Sequence, residues 1–193
     1  IENTINRARL LRSGFTDVLT GWNNRRYLVV RLGEELARAK RDGTTLVCPM
    51  LDIDHFKKVN DTFGHLYGDE VLVLLSQIMK TCFREDDMLF RFGGEEFVVI
   101  LRAPSRQECF VALERLRATT EKTEFPGVGS ITISIGAVQL ERETFYGTLL
   151  DYADQSLYFS KNQGRNRISF FDELVASGVA QLESDNSGEV ELF

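Results

Sequence analysis

The stretch TTLVCPMLDI at residues 44–53 constrains the fold of this chain more than any other feature. It is nearly all apolar, as expected for a strand that is covered on both faces. Such a strand predicts a sheet with helices packed around it. Pro49 is awkward inside the stretch because proline cannot donate to a ladder, so it predicts an edge position or a bulge.

Helical and strand patterns alternate along the rest of the chain. Helices are predicted over 25–43, 54–64, 68–84, 105–122 and 144–164, and strands over 87–101 (a hairpin), 130–140 and 165–171. Asn23 or Asn24 is the expected N-cap of the first of these helices, and Gly43 its closing residue. The order β-α-α-β-β-α-β-α-β predicts one α+β domain with a mixed sheet.

Both ends of the chain differ from this pattern. Residues 1–16 predict an amphipathic linker helix, and 172–193 form an acidic tail with a possible helix over 176–182. The first residue, Ile1, favours a fragment of a longer protein. A net charge of −6 argues against a nucleic-acid partner or a membrane surface. Three dispersed cysteines favour a reducing cytosol, and no apolar run approaches a membrane span.

Carboxylates stand at two separate strand ends. Asp52 and Asp54 close the apolar strand, and Glu95 and Glu96 follow two glycines at a hairpin tip. If the strands are neighbours, three or four carboxylates converge, which is unfavourable without a cation. Oxygen-only ligands point to Mg²⁺. Acids at a hairpin tip can equally be solvated, and Asp54 can be a helix cap.

Basic residues accompany the acids along the chain. They are Lys57, Lys58, Lys161 and Arg165. A metal ion together with lysine and arginine is what polyphosphate chemistry needs.

Four motifs in order resemble the GGDEF family, the diguanylate cyclases of bacterial signalling. They are DVLTGWNNRR, LDIDHFKKVNDTFGHLYGDEVL, RFGGEEF (the signature in its Glu variant) and ADQSLYFSKNQGRNR. The resemblance covers residues 17–171 and implies a mostly antiparallel sheet wrapped by helices, related to polymerase palms and nucleotide cyclases. It also implies that two GTP molecules condense to cyclic di-GMP and two pyrophosphates between two facing copies of the domain.

The resemblance assigns roles by motif position. Asp52, the carbonyl of Ile53, Glu95 and Glu96 correspond to ligands of two Mg²⁺ ions per half-site, with Mn²⁺ as an alternative. Glu96 is also a candidate base for the 3′-hydroxyl. The substrate contacts expected from the other motifs are Phe56 and Lys57 (phosphate loop), Asn60 and Asp69 (guanine), His65 (the GHxxGD turn), and Lys161 and Arg165 (triphosphate). For Asp54 we favour a role as loop organiser or cap over metal ligation.

A second site is implied by REDD at residues 84–87. Arg84 and Asp87 fit the family's RxxD motif for inhibition by cyclic di-GMP, with Arg38 or Arg115 as candidate additions. Two alternatives remain open. One is a catalytically weak module that binds GTP or cyclic di-GMP, and the other is a cyclase or polymerase-like enzyme with another substrate. The expected setting is the bacterial cytoplasm, with a missing upstream sensor and a full-length protein that could be membrane-tethered.

Overall fold

A computed structural model of the chain describes residues 14–139 and 146–181. Within them, six strands form one sheet in the order β1-β3-β4-β2-β7-β8. These strands are β1 (Asn23–Asn24), β2 (Thr45–Ile53), β3 (Met88–Gly93), β4 (Glu96–Ala103), β7 (Ile133–Gln139) and β8 (Ile168–Phe170). The three central pairings are antiparallel and the two outer ones are parallel. The predicted α+β class and mostly antiparallel sheet are confirmed.

Helices cover both faces of this sheet. They are α1 (Arg25–Asp42), α2 (Phe56–Phe63), α3 (His65–Cys82), α4 (Arg106–Lys122), α5 (Tyr146–Asn162) and α6 (Phe171–Ala176). A small hairpin, β5 (Glu124–Phe125) and β6 (Gly129–Ser130), was not predicted. Asn24 caps α1 by accepting from the backbone N–H groups of Arg26 and Tyr27, and Gly43 ends it in the left-handed conformation, as expected.

β2 is the centre of the sheet, between β4 and β7. Its side chains alternate between two cores, one beneath α2, α3 and α4 and the other beneath α1, α5 and α6. Val47 and Leu51 belong to the first core, and Leu46 and Met50 to the second. This two-sided burial explains the nearly unbroken apolar run.

The prediction of an edge position or a bulge at Pro49 is wrong. Pairing with β7 runs through Pro49, opposite Ala137. Pairing with β4 lapses between Val47 and Met50 and resumes in the same register. The missing N–H of proline is therefore accommodated by a short gap on one side of a central strand.

Two boundaries differ from the predictions. α3 begins at His65 rather than near residue 68, directly after Gly64, whose φ of 90° ends α2. The helix predicted over 176–182 is absent from the described part of that range, which ends at residue 181, and α6 lies earlier. Phe171 is buried in the second core, Val175 packs against it and Leu174 is buried, so the packed structure continues beyond residue 171. The predicted linker helix falls almost entirely outside the described residues, and so does most of the tail.

Close packing between α5 and β7 depends on a glycine. A Cβ at Gly136 would lie 2.0 Å from the backbone nitrogen of Leu157 and 2.3 Å from the carbonyl oxygen of Ala153. This contact sets how closely α5 lies on the sheet. No helix in the described ranges is long and apolar enough to cross a membrane.

Candidate active site

The two acidic strand ends meet at one edge of the sheet. β2 and β4 are antiparallel neighbours, and Asp52 and Glu96 are direct cross-strand partners. Glu95 precedes Glu96 in the hairpin turn. Side chains opposite one another on adjacent strands are about 5 Å apart at Cβ. Of the carboxylates expected to converge, Asp52 and Glu96 are brought together with Glu95 next to them in the chain, whereas Asp54 bonds elsewhere.

Asp52 carries the strongest electrostatic signature of this edge. It is 5% exposed, and burial is the main cause that raises the pKa of its carboxyl to about 6. The nearby charges of Glu95 and Glu96 raise this pKa further, while Lys161 lowers it. Burial likewise raises the pKa of Glu96, and Asp154 and Glu95 add to the effect. The site concentrates negative charge that a cation would stabilise.

The Lys161 ammonium forms an ion pair at this edge, with its Nζ 2.8 Å from Asp52 Oδ2. No three or more histidine, cysteine, aspartate or glutamate side chains in residues 14–139 and 146–181 are arranged to hold a metal ion. Asp52, Glu95 and Glu96 are therefore close without forming a side-chain ligand set. Their oxygen chemistry suits Mg²⁺, which keeps several waters and takes substrate phosphates as further ligands.

The signature turn consists of Gly94 and Glu95 rather than of the two glycines. Gly93 pairs with Glu96 across the hairpin, and only Gly94, with φ of 50°, has the left-handed conformation. Arg91 donates to the carbonyl oxygen of Gly94 from Nε at 3.0 Å and from Nη2 at 2.8 Å. The two hydrogen bonds from Arg91 therefore fix the backbone next to Glu95.

Arg91 also joins this turn to the start of the domain. Its Nη1 lies 3.1 Å from Asp17 Oδ1, and Thr20 donates to the same oxygen from its backbone and its hydroxyl. Burial alone would raise the pKa of Asp17, but the hydrogen bonds from Thr20 and Arg91 outweigh it and lower the pKa. Sequence analysis assigned no role to Arg91, although its position two residues before Gly93, within the signature, is a signal.

The loop between β2 and α2 offers donors for an anion. His55 adopts a left-handed φ of 60°, and no side chain caps the N-terminus of α2. The first backbone N–H groups of a helix have no intrahelical acceptor. Those of Phe56 and Lys57, both predicted phosphate contacts, can therefore face a phosphate. Phe56 is buried and Lys57 is exposed.

The two predicted guanine contacts lie where α2 meets α3. Asn60 is half-buried near the end of α2, and Asp69 is exposed in α3. A Cβ at Gly68 would lie 2.0 Å from Asn60 Oδ1, so only glycine permits this approach. His65 is exposed at the first position of α3.

Lys161 and Arg165 lie at the end of α5. Lys161 reaches Asp52, whereas Arg165 is exposed in the loop that follows, with φ of 64°. Asp54 faces this loop and not the acidic edge. It accepts hydrogen bonds from Thr132, Ser134 and the backbone of Asn166. These bonds favour the expected role of Asp54 as a loop organiser over that of a helix cap, since no side-chain hydrogen bond caps α2.

The RxxD motif lies at the opposite end of β4. The backbone N–H of Arg84 donates to Asp87 Oδ2 at 2.8 Å, and both residues line a pocket of about 200 Å³. Burial raises the pKa of Asp87. Arg115 of α4 lines the same pocket and donates to the carbonyl oxygen of Cys82. Arg38 is not among the residues around it and pairs with Asp42.

Comparison with known proteins gives a consistent result. The family model described as diguanylate cyclase, GGDEF domain, matches residues 14–167. Diguanylate cyclase DosC of Escherichia coli is 39% identical over 159 residues, which are 80% of this chain and 35% of that protein. Diguanylate cyclase DgcP of Pseudomonas aeruginosa is 44% identical over 160 residues, 81% of this chain and 24% of that protein. The chain thus spans about a third or less of these relatives.

A solved structure agrees with the fold. The coiled coil and GGDEF domain of DgcB from Caulobacter crescentus, in complex with c-di-GMP, superposes with a TM-score of 0.81. The two chains are 29% identical, and the match covers 88% of this chain and 92% of that one.

Proposed function

The chain belongs to the GGDEF family of diguanylate cyclases, and from this premise we propose that it condenses two GTP molecules to cyclic di-GMP and two pyrophosphates. The observation that carries the proposal is the acidic edge of the sheet. Asp52 and Glu96 are cross-strand partners there, with a Lys161 ammonium 2.8 Å from Asp52. The charged residues of this edge match the family's motifs at every position.

The reaction needs charge stabilisation and one proton acceptor. The O3′–Pα bond forms, the bond between Pα and the oxygen bridging to Pβ breaks, and pyrophosphate leaves. The proton of the 3′-hydroxyl must pass to a base. Glu96 suits this role, because burial raises its pKa and so makes its carboxylate a stronger base. Repeating the step with the roles of the two nucleotides exchanged closes the ring.

The proposed substrate contacts come from the motif positions, and the chemistry of the side chains supports them. Asn60 and Asp69 would read the guanine edge, since a carboxylate accepts from N1–H and N2–H and an amide complements the other polar atoms. Lys161, Arg165 and the first backbone N–H groups of α2 would hold the triphosphate. Asp52, Glu95, Glu96 and the carbonyl of Ile53 would hold Mg²⁺, which supplies Lewis-acid stabilisation of phosphate charge when bound.

Two further parts of the proposal concern assembly and control. Each chain would supply one half-site, so a homodimer is required for turnover, and the activity of this segment should depend on protein concentration.

Cyclic di-GMP would bind in the pocket of Arg84, Asp87 and Arg115 and inhibit the enzyme. Arginine there can stack on guanine and bond to it. We place the reaction in the bacterial cytoplasm, with a signal received by an upstream region.

The direct experiment incubates the chain with GTP and Mg²⁺ across a range of protein concentrations and measures cyclic di-GMP and pyrophosphate. Glu96→Gln should remove turnover while preserving the unfolding transition. Glu124→Gln, an exposed acid on β5, is the matched control and should behave as wild type. Tight GTP binding with no product at any concentration would favour the catalytically weak binding module instead.

The inhibitory site has its own test. Arg84→Ala should relieve inhibition by added cyclic di-GMP and leave the initial rate unchanged. If cyclic di-GMP inhibits both proteins equally, the assignment of the RxxD pocket fails while the cyclase activity stands.

A further inference from the structure

The loop after α5 has an unusual backbone. Gly164, Arg165 and Asn166 are three consecutive residues with left-handed φ values of 106°, 64° and 47°. The first suits a helix C-terminus, and the backbone N–H of Arg165 donates to the carbonyl oxygen of Ser160 at 3.0 Å. The second and third are side-chain-bearing residues, which adopt this conformation only when their surroundings hold them there.

The β2 side of the loop is held by Asp54. This carboxylate is 5% exposed and accepts from Thr132 Oγ1 at 2.7 Å and from Ser134 Oγ at 2.7 Å. Its third hydrogen bond comes from the backbone N–H of Asn166 at 3.1 Å. A buried carboxylate with three donors is fully engaged, and it ties the residue after Arg165 to the sheet.

The opposite side of the loop is held by α4. Arg117 Nη1 donates to Asn166 Oδ1 at 2.7 Å, and Asn166 Nδ2 donates to Glu121 Oε1 at 2.7 Å. Arg117 is itself paired with Glu121 at 2.9 Å and with Glu114 at 2.6 Å. Hydrogen bonds from Arg117 and Asn166 lower the pKa of Glu121. The Asn166 amide accepts from the arginine through its oxygen and donates to the glutamate through its nitrogen, which a carboxylate or an ammonium could not do.

We propose that Arg117 is a positioning residue for the nucleotide triphosphate. With Asp54 and Glu121 it clamps Asn166 and so fixes the left-handed backbone from which the Arg165 side chain extends. Arg117 touches no substrate group in this assignment and acts through Asn166. The inference rests on the proposed function, since it assumes that Arg165 binds the triphosphate of GTP.

The competing explanation is an ordinary charged helix face. Glu114 and Glu121 are three residues before and four residues after Arg117, a spacing typical of solvent-exposed ion pairs that contribute little. Two observations favour the proposed clamp, which is the set of hydrogen bonds that Arg117, Asp54 and Glu121 make to Asn166. The Arg117 side chain is only 15% exposed, and its bond to Asn166 crosses to a loop 49 residues further along the chain.

The experiment measures the dissociation constants of a non-hydrolysable GTP analogue and of GMP, both with Mg²⁺, by calorimetry. The proteins are wild type, Arg117→Ala, Arg165→Ala and the double variant. Arg117→Ala should weaken binding of the GTP analogue about fivefold and leave GMP binding unchanged, because GMP lacks the β- and γ-phosphates. In the Arg165→Ala background, the same change should add less than about twofold, since residues in one network are not additive.

Control variants separate the clamp from general stability. Arg106→Ala removes an arginine from the same helix that pairs with two acids, Asp172 and Glu173, and it should not change nucleotide binding. Arg117→Lys should recover part of the affinity. If Arg117→Ala does not fold, Asn166→Asp replaces it in the experiment. This variant keeps the acceptor for Arg117 and loses the donor to Glu121.

Each outcome decides the matter. Equal loss of GTP-analogue and GMP binding, or full additivity in the double variant, overturns the clamp. Binding that depends on Arg165 but is indifferent to Arg117 overturns this inference and leaves the proposed function intact. A wild-type protein that binds no GTP analogue overturns both.

Discussion

Asp52 and Asp54 are separated by one residue and are equally buried, each 5% exposed, yet their surroundings are opposite. Asp52 faces the acidic edge, where its charged partner is one lysine side chain. Asp54 faces the sheet and the loop after α5, where two hydroxyls and a backbone N–H bind it. A flexible ammonium can leave when substrate arrives, whereas the partners of Asp54 are fixed by the fold.

The end of β2 places two carboxylates in different surroundings. Successive side chains of a strand alternate in direction, so residues two apart would share a face if β2 continued. β2 ends at Ile53, and the backbone N–H of Asp54 already bonds to Thr132 of the neighbouring segment. The chain turns there, which separates the carboxylate at the acidic edge from the one that bonds to the loop after α5.

The largest effect is expected from Asp52→Asn. Turnover should fall by about 10²–10³-fold, the usual result of removing one electrostatic group from a reacting centre. The free energy of unfolding should not fall, because the change removes a buried charge and Lys161, 31% exposed, can turn to solvent. Pyrophosphate release and denaturant unfolding measure the two quantities. The control is Asp151→Asn, which changes an exposed acid on α5. A large loss of stability in Asp52→Asn would show that Asp52, like Asp54, stabilises the fold.

Asp54→Ala should instead act on stability. It leaves the hydroxyls of Thr132 and Ser134 and the backbone N–H of Asn166 without their acceptor, and we expect a loss of about 2–3 kcal/mol. Urea unfolding with an unchanged m value measures it. Unfolding free energies within about 0.5 kcal/mol of wild type would mean that Asp54 does not organise the loop.

The pH dependence of stability sharpens the comparison for Asp52. Its pKa is raised from the ordinary 3.8 to about 6 in the folded protein, so the folded state binds the proton more tightly than the unfolded chain does. Its contribution to stability is therefore full below about pH 4 and is lost as the pH rises through about 6. Allowing for solvent screening, the loss is about 2 kcal/mol.

This pH effect is measured as the difference between wild type and Asp52→Asn, without metal or nucleotide, from pH 4 to 7. Asparagine does not titrate, so the wild type should lose stability relative to the variant across this window. A difference that is constant with pH would show that the Asp52 carboxyl is not perturbed.

The smallest effect is expected from Thr132→Val, which removes one of the three donors to Asp54 and keeps the shape of the side chain. We expect a loss of about 1 kcal/mol in unfolding free energy and less than a twofold change in turnover. Thr132→Ser retains the hydroxyl and should behave nearly as wild type. A large fall in turnover for Thr132→Val alone would place Asp54 in the reacting centre.

Much of this architecture could be predicted from local patterns. The caps Asn24 and Gly43, the hairpin before Glu96 and the doubly covered strand β2 depend on residues close together in sequence. The adjacency of β2 and β4 was only a condition in the sequence analysis, and the structure supplied it. The errors were at places where a local rule met a tertiary contact: Pro49 lies in a central strand because the neighbouring ladder tolerates a gap.

The residues missed by sequence reasoning share one property. Arg117 looks like part of a charged helix face, and Thr132 and Ser134 look like polar positions of a strand. Their significance comes from partners 49, 78 and 80 residues away in sequence. Periodicity and propensity act over a few residues, so they carry no information about such pairs.

Residue type and short-range spacing were enough to predict the kinds of elements, the family and the identity of the acidic and basic groups. Which aspartate faces the acidic edge, and which one bonds to the loop after α5, became evident only from the fold. It also decided that Lys161 pairs with Asp52, and that Arg117 reaches Asn166. Those outcomes depend on where the sheet brings distant segments together, since burial and hydrogen bonding are properties of the packed chain.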